Sequence, residues 1–529
     1  MPARPMPARP MPARHVLFIC VDQWRGDSLG LLGHPAARTP HLDALARDAV
    51  MFTSHWAQAA PCGPARASML TGQYVMNHRV TANGIPLSSR HPNLATEVRR
   101  AGIDPQLIGY TTTIPDPVKT HPGDPRFSEI GDVMAGWQIF AHFDEVDYRN
   151  YFGWVASRGI ALPDHPFDLY APAEGPRGPT AAPCRVPASA SNTAWTGEHG
   201  LAFLRGAKAS RADRPWLLHL GFLCPHPPFI APAPYHALLP DAAIAAPVRA
   251  ATRADEAAQH PVLAHWLEAQ KQSSYFEGAA GPVSALTDHD ILLTRRAYYG
   301  MIAEIDDWVG RILAELKANG HYDSTLIIFT SDHGEQLGDH RLLGKIGWFD
   351  QSYHVPLIIR APFGVHGRVV GAFTESVDLM PTILDWLGQD IPPACNGVSL
   401  LPWLNGKTPA HWRSEVHFEY DLRGGWPAAS TLPPGTPPAA GPMAALRTTD
   451  WKYVHLPGFP PVLYDLRTDP TETHNLAADP AHRNLLLEAS QRMLDFRMTH
   501  AAPDHTHQVA TPGGLTPRIY PGRASEIEL

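Results

Sequence analysis

The sequence predicts an α/β fold with a mostly parallel central sheet flanked by helices, followed by a smaller α+β C-terminal domain. Continuous apolar runs recur at residues 15–21, 216–222 and 325–330, as expected for strands that are buried on both faces. Segments with helical spacing of apolar residues lie between these runs, and this alternation is typical of parallel sheets covered by helices. Near residue 405 the pattern changes to closely spaced short strands, which indicates a second domain.

The larger domain is assigned to residues 15–405. In chain order, its strands are predicted at residues 15–21, 106–109, 216–222, 325–330 and 355–360. Its helices are predicted from Pro40, from Pro64 to Gly72, and at residues 93–100, 192–205, 291–319 and 376–387. Residues 111–190 are rich in proline and glycine with weak periodicity, so we interpret them as excursions that form a pocket wall. Residues 231–285 read as an insertion rich in alanine and proline.

The C-terminal domain is assigned to residues 406–529 and includes an extended tail. Short strands at residues 416–420, 444–448, 451–456 and 462–466 precede a helix at residues 482–497. At the other end of the chain, residues 1–14 repeat the unit MPARP and contain no apolar stretch. We therefore expect a disordered leader there and not a secretory signal.

Length, charge and cysteine content limit the possible functions. The 529 residues suffice for one large and one smaller domain, and a net charge of −8 argues against nucleic-acid binding. Five scattered cysteines do not indicate a disulfide framework, and no apolar run is long enough for a transmembrane helix. We expect a cytoplasmic protein without nucleic-acid or membrane partners, in which local positive groups hold any anionic substrate.

One short motif carries the clearest chemical signal. Cys62, Pro64 and Arg66 have the spacing Cys-x-Pro-x-Arg. Because Pro64 suits the first turn of a helix and Gly72 can end it, Cys62 is predicted just before a helix N-terminus, where anions are favoured. A nucleophile and an arginine therefore converge at an anion site. A cysteine phosphatase is excluded because it would need arginine where Ser68 stands, whereas a buried structural cysteine stays an alternative.

A second signal lies at the ends of the predicted strands. Chemically active side chains follow three of these strands: Asp22 and Gln23, then His226, then Asp332 and His333. Because ligands bind at the carboxyl ends of parallel strands, we expect Asp22, Gln23, Asp332 and His333 to converge with position 62 on one divalent cation. Mostly oxygen donors favour Ca²⁺, Mn²⁺ or Mg²⁺ over a structural zinc. Taken singly, Asp22 could instead cap a helix and the Asp332 segment could be a turn.

These motifs resemble a known family. The Cys62 motif is similar to the sulfatase motif in which a maturation enzyme oxidises the cysteine to formylglycine, and the ordered set resembles the formylglycine branch of the alkaline phosphatase superfamily. That branch contains sulfatases and phosphonate monoester hydrolases. Gln23, where sulfatases usually carry a further acidic residue, and the Tyr-Thr-Thr run at residues 110–112 resemble the second group more. So do the segments Met76-Asn77-His78-Arg79, Cys224-Pro225-His226-Pro227-Pro228-Phe229 (with cysteine in place of arginine) and Gly344-Lys345-Ile346-Gly347.

The resemblance, which runs from about residue 15 to 500, implies roles for single residues. The metal ligands of the family fall on Asp22, Gln23, Asp332, His333 and the formylglycine from Cys62. Its anion-binding and leaving-group residues fall on Arg66, Asn83, Tyr110, Thr112, His226 and Lys345. Arg66 and Lys345 can neutralise phosphoryl oxygens, and His226 and Lys345 can protonate a leaving group. The other three can donate neutral hydrogen bonds to a substrate, although each candidate could also be an ordinary structural residue.

We therefore predict a metal-dependent hydrolase that cleaves phosphonate monoesters and phosphodiesters and also accepts sulfate esters. The expected cofactors are one divalent cation, Mn²⁺ or Ca²⁺, and formylglycine, whose hydrate would attack the substrate and then collapse to the aldehyde. The implied partners are a small anionic ester, a formylglycine-generating enzyme during maturation and further copies of the chain in a homotetramer. An arylsulfatase or other sulfatase is the first alternative. A catalytically silent binding protein with an unmodified Cys62 is the second.

Overall fold

A nine-stranded sheet lies at the centre of the part of the chain that the structure describes. The structure is a computed structural model that describes residues 14–128, 133–143, 147–210, 214–424, 432–437, 440–502, 508–512 and 514–517. The strands are β1 (His15–Val21), β2 (Val50–Trp56), β3 (Gln106–Gly109), β4 (Gln138–His142), β5 (Leu217–Phe222), β6 (Thr325–Ser331), β7 (His354–Arg360), β8 (Arg368–Val370) and β9 (Thr374–Glu375). The predicted leader lies outside the described residues apart from Arg14.

The strands are ordered β4-β3-β5-β1-β6-β7-β2-β8, and β9 also pairs with β2. The five strands from β4 to β6 run parallel, and β8 and β9 are parallel to β2. Only β7, within this described sheet, runs antiparallel to its neighbours. The prediction of a mostly parallel sheet is therefore confirmed. β2 is not predicted from the sequence, because its apolar start gives way to the polar residues Thr53 and Ser54.

Helices cover both faces of this sheet. The described helices of this domain are α1 (Pro40–Arg47), α2 (Cys62–Thr71), α3 (Val75–His78), α4 (Leu94–Arg100), α5 (Arg149–Ser157), α6 (Asn192–Ser210), α7 (Arg253–Ala258), α8 (Pro261–Ala269), α9 (Asp288–Ala318), α10 (Asp350–Tyr353), α11 (Leu379–Trp386) and α12 (Leu401–Leu404). Leu17 and Ile19 of β1 face a core built with α1, α6 and α9, whereas Val16 and Phe18 face one built with α2, α4 and α11. Successive residues of β1 thus pack alternately into two different cores, which explains why the sequence of this strand is continuously apolar.

A four-stranded antiparallel sheet and one long helix form the C-terminal domain. The strands are β10 (Glu415–Asp421), β11 (Pro442–Thr448), β12 (Trp451–His455) and β13 (Val462–Asp465), and they are followed by α13 (Arg483–His500). β14 (Gln508–Thr511) pairs with β15 (Gly514–Pro517) in the tail. This confirms the predicted small α+β domain, while its predicted limits at residues 406 and 529 stay predictions.

The second sheet borders the segment that leads into α2. Glu419 of β10 donates its backbone N–H to Gln58 O over 2.8 Å.

The two segments that the sequence predicts as a pocket wall and an insertion also contain regular structure. β4 and α5 lie within the predicted wall at residues 111–190, and α7 and α8 lie within the insertion at residues 231–285. None of the helices in the described ranges combines the length and the apolar character that a membrane crossing needs.

Candidate active site

Two neighbouring strands bring the predicted carboxylate ligands together. β1 and β6 are parallel, and their last residues, Val21 and Ser331, are register partners. Asp22 and Asp332 come next on each strand, so they emerge side by side at the carboxyl edge of the sheet. The ligand atoms of Asp22, Cys62, Asp332 and His333 all lie within 4.8 Å of one another, and all four residues are buried. The predicted convergence on position 62 is therefore present in the structure.

Cys62 is the first residue of α2, which begins two residues before the predicted start at Pro64, so the cysteine lies within the helix and not just before it. Its Sγ lies 3.3 Å from His333 Nε2, 3.7 Å from Asp22 Oδ1 and 3.1 Å from Lys345 Nζ. The next backbone N–H, that of Gly63, donates to Asn83 Oδ1 over 2.8 Å. Position 62 therefore faces acid, base and cationic groups drawn from three separate loops.

Arg66 bridges the two buried aspartates. Its Nε donates to Asp332 Oδ2 over 2.9 Å and its Nη2 donates to Asp22 Oδ2 over 3.2 Å, and the guanidinium has no exposed surface. The guanidinium also lies 4.1 Å from the ring centre of Tyr110, whose hydroxyl donates to Asp22 Oδ2. Arg66 thus holds both carboxylates in place and Tyr110 holds that of Asp22, whereas their expected contacts with a substrate stay predictions.

Gln23 is oriented by the carboxylate of Glu335, which no sequence motif marks as a site residue. The backbone of Gln23 lies in the left-handed region, at φ 73°, and its Nε2 donates to Glu335 Oε2. Because this bond uses the amide nitrogen, the amide oxygen of Gln23 points toward the site, where it accepts from Lys345 Nζ over 2.8 Å. Glu335 follows Asp332 closely in sequence, but nothing in the sequence shows that its side chain turns back toward Gln23.

Burial and neighbouring charges set the ionisation of the site. Burial acts to raise the pKa of Asp22, but Lys345 and the surrounding histidines and arginine lower it to below its ordinary range. Burial and the adjacent Asp22 raise the pKa of Asp332. Burial, followed by Lys345, lowers the pKa of His333, so its imidazole is neutral and able to ligate a metal.

The remaining predicted residues lie around the start of α2 or beside Lys345. Asn83 and Thr112 border the start of α2, since a Cβ added to Gly63 would lie 2.8 Å from Asn83 Oδ1 and 3.3 Å from Thr112 O. The buried Thr112 Oγ1 has no hydrogen-bond partner among the described residues, and the backbone there has a φ of 50°. His226 Nδ1 is 2.9 Å from Pro227 O, and burial together with Lys345 lowers the pKa of His226 to about 4.

The donor set fits a hard divalent cation. Two carboxylates, one amide oxygen and one neutral imidazole point to the same small volume, and such mixed oxygen and nitrogen sets suit Ca²⁺, Mn²⁺ or Mg²⁺. Asp22, Gln23, Asp332, His333 and the side chain at position 62 could therefore hold one ion.

Family comparison agrees with this geometry. A family model described as Sulfatase matches residues 14–389. The chain belongs to the sulfatase family. A second model, described as the C-terminal part of N-sulphoglucosamine sulphohydrolase, matches residues 338–499 of this sulfatase-family chain. The expected membership of the alkaline phosphatase superfamily is thereby confirmed.

Individual relatives point to one part of this family. The chain is 44% identical over 514 residues to the multifunctional alkaline phosphatase superfamily protein PehA of Trinickia caryophylli, covering 95% of this chain and 99% of that protein. The structure of a phosphonate monoester hydrolase of Agrobacterium radiobacter superimposes with a TM-score of 0.88 at 40% identity, covering 96% and 100% of the two chains. The choline-sulfatase of Rhizobium meliloti is 28% identical, covering 88% and 83%. The chain is a sulfatase-family hydrolase that acts on ester bonds.

Proposed function

We propose that this sulfatase-family enzyme hydrolyses phosphonate monoesters and phosphodiesters, using formylglycine made from Cys62 and one divalent cation, Mn²⁺ or Ca²⁺. The observation that carries the proposal is the position of Cys62 Sγ, 3.3 Å from His333 Nε2 and 3.1 Å from Lys345 Nζ, within the buried donor set. The substrate class is supported by the likeness to two phosphonate monoester hydrolases, at 40% and 39% identity. The proposal includes a formylglycine-generating enzyme as a maturation partner.

The charges at the site suit a singly charged ester. Asp22 and Asp332 are balanced by Arg66 and Lys345, so a divalent cation would add two positive charges. A phosphonate monoester or phosphodiester brings one negative charge, and an ionised hydroxyl at position 62 brings a second. Sulfate monoesters carry the same charge as these substrates, so the proposal includes some turnover of aryl sulfates.

The residues around position 62 divide the chemical tasks. A cation in this site would lower the pKa of a coordinated hydroxyl toward about 7 and withdraw charge from the ester. Lys345 Nζ, in contact with both Cys62 and Gln23, is placed to protonate the departing oxygen. The low pKa of His226 leaves it neutral near pH 7, which makes Lys345 the better proton donor of the two. The Thr112 hydroxyl, which has no partner among the described residues, and the Asn83 amide offer neutral hydrogen bonds to the substrate.

A substrate comparison tests the reaction class. The purified enzyme, supplied with Mn²⁺, is given a phosphonate monoester, a phosphodiester and a sulfate ester that all release 4-nitrophenol. We expect kcat/KM to be higher for the two phosphorus esters than for the sulfate. A tenfold or greater preference for the sulfate would contradict the proposal and favour the arylsulfatase alternative.

Mass spectrometry of the peptide that contains position 62 tests the nucleophile. Conversion of cysteine to formylglycine lowers the peptide mass by about 18 Da, and we expect that shift in active preparations. A Cys62→Ala variant is the matched control and should lose turnover while remaining folded. Full activity with an unmodified cysteine would contradict the formylglycine proposal, whereas an unmodified and inactive protein would favour a silent binding role.

A further inference from the structure

Lys345 lies in a loop, so its position depends on the contacts of its neighbours. Leu343, two residues earlier, forms a paired contact with Gln270: Gln270 Nε2 donates to Leu343 O over 2.7 Å, and Leu343 N donates to Gln270 Oε1 over 3.1 Å. The hydroxyl of Tyr275 donates to the same carbonyl over 2.9 Å. Gln270 Nε2 also donates to this hydroxyl over 2.9 Å, which closes a three-residue network.

Tyr275 also packs directly against the residue before Lys345. Gly344 has a φ of 77°, and a Cβ there would lie 2.9 Å from the Tyr275 hydroxyl. On its other side, Gly344 N donates to Glu335 Oε1 over 2.6 Å. The Lys345 loop is therefore held between Tyr275 and the loop that carries the metal-ligand candidates.

The same tyrosine contacts the segment that carries His226. Phe229, three residues after His226, donates its backbone N–H to Tyr275 O over 2.9 Å. The rings of Phe229 and Tyr275 are parallel within 1°, with centroids 6.2 Å apart. One residue of the insertion thus joins the two loops that supply the candidate proton donors.

We propose that Gln270 and Tyr275 form a clamp that fixes Lys345 relative to His226 and position 62 for protonation of the leaving group. Both are positioning residues, because they act through Leu343, Gly344 and Phe229 and not on the substrate. A proton donor must lie within hydrogen-bond reach of the departing oxygen, and misplacement by about 1 Å can cost about 10²-fold in rate. This inference deepens the proposed function and depends on it, and it gives the insertion at residues 231–285 a role in the site.

The test uses the dependence on the leaving group. Tyr275→Phe keeps the ring that stacks on Phe229 but removes the hydroxyl that holds Leu343 O. The holoenzyme and this variant are compared on phenyl and 4-nitrophenyl esters of the same phosphonate. Because 4-nitrophenolate leaves without a proton more readily than phenolate, we expect kcat to fall about tenfold on the phenyl ester and less than threefold on the 4-nitrophenyl ester, with KM unchanged.

Two further variants keep the test decisive. Gln270→Glu retains the size of the side chain but removes its N–H donors, and it should produce the same selective loss even if Tyr275→Phe folds poorly. Tyr235 lies in the same insertion as the clamp, and its hydroxyl donates to Asp307 Oδ2 of α9. The control Tyr235→Phe removes this hydroxyl and should leave kcat unchanged on both esters. Equal losses on both esters, or no loss on either, in the two clamp variants would overturn the clamp alone. If the wild-type enzyme hydrolysed neither ester, the proposed function and the clamp would both be rejected.

Discussion

At the scale of single residues, the site depends on two carboxylates that share one buried cation of the protein. Arg66 is bonded to both Asp22 and Asp332, and none of these side chains has exposed surface. Removing one partner of a buried ion pair is costly because it leaves an uncompensated charge in a weakly polarisable interior. The arginine of the Cys-x-Pro-x-Arg motif is thus a structural requirement of the candidate metal site as well as a candidate anion ligand.

Replacement of this arginine should therefore lower stability in a way that metal corrects. We expect Arg66→Met to reduce the free energy of unfolding by about 3–5 kcal/mol at pH 7, measured by urea denaturation without divalent ions. Added Mn²⁺ should recover part of the loss, since a bound cation stabilises the folded state. Arg423→Met is the control, because Arg423 pairs with Asp421 while 44% of its side chain is exposed, and its loss should stay below about 1 kcal/mol.

Glu335 should control metal affinity through the orientation of Gln23. Its Oε1 accepts from Leu337 N over 2.9 Å and from Gly344 N over 2.6 Å, and its Oε2 accepts from Gln23 Nε2. In Glu335→Gln the oxygen must stay with the two backbone donors, so the new NH₂ group would face the NH₂ group of Gln23. We expect the Gln23 amide to turn away, and Mn²⁺ affinity measured by calorimetry to fall about 10–100-fold. Unchanged affinity would refute this role, and the control is Glu198→Gln, because that side chain is 38% exposed and pairs with Arg158 outside the site.

His219 should make the fold sensitive to acid. Both of its ring nitrogens are buried without a hydrogen-bond partner in the described ranges, and the ring packs against Phe18 and Trp137. Burial, with Arg66 as a further cause, lowers the pKa of His219 from 6.5 to about 3. Between these values the unfolded chain binds more protons than the folded chain, so stability is lost as the pH falls from 6.5 toward 3.

Replacement of His219 should remove part of that loss. Between pH 7.5 and pH 5, we expect His219→Leu to lose on the order of 2 kcal/mol less unfolding free energy than the wild type, measured by urea denaturation at both values. His411→Leu changes an exposed histidine and serves as the control. Identical pH dependence of wild type and His219→Leu would contradict the assignment.

At the scale of secondary-structure elements, the sheet register determines the site. Parallel pairing of β1 with β6 places Asp22 beside Asp332, and this could be predicted because both strands are continuous apolar runs followed by polar residues. The placement of β2 could not be predicted in the same way, since its second half is polar. The bond network of Arg66, Tyr110 and Glu335 was also beyond prediction, because it depends on side-chain directions in loops that have no periodic pattern.

One glycine beside the candidate metal ligand His333 should tolerate no side chain. A Cβ at Gly334 would lie 2.0 Å from Gln351 O, so the backbone after His333 would have to move. His333 Nδ1 is 3.1 Å from Gly334 O, so the imidazole would move with it. We expect Gly334→Ala to lower the unfolding free energy by about 2 kcal/mol or more and to weaken Mn²⁺ binding at least tenfold.

The matched control for this change lies in α6. Among the residues that the structure describes, none would lie within 4 Å of a Cβ at Gly206, so Gly206→Ala should raise helix stability by about 0.5–1 kcal/mol. Thermal unfolding and Mn²⁺ titration of both variants distinguish the two sites. Wild-type behaviour of Gly334→Ala would show that this loop adapts more freely than its contacts indicate.

At the scale of the whole molecule, the two domains share a buried polar cluster. Glu375 accepts from the Tyr74 hydroxyl over 2.6 Å and from His417 N over 2.9 Å, and Arg413 lies 3.5 Å from the same carboxylate. Asp378 accepts from Arg413 Nη2 over 2.7 Å. The C-terminal domain is thus joined to β9 and to Asp378, and through Glu375 to Tyr74 after α2, although the sequence showed only that a second domain begins near residue 405. The homotetramer, the cytoplasmic location and the domain limits stay predictions.

The most direct test of the whole account is the position of a bound metal ion in crystals grown with Mn²⁺. We expect one anomalous difference peak within coordination distance of Asp22, Gln23, Asp332 and His333, beside a residue 62 whose density is that of formylglycine or its hydrate. A peak elsewhere in the molecule, with these four side chains unoccupied at saturating Mn²⁺, would contradict the account.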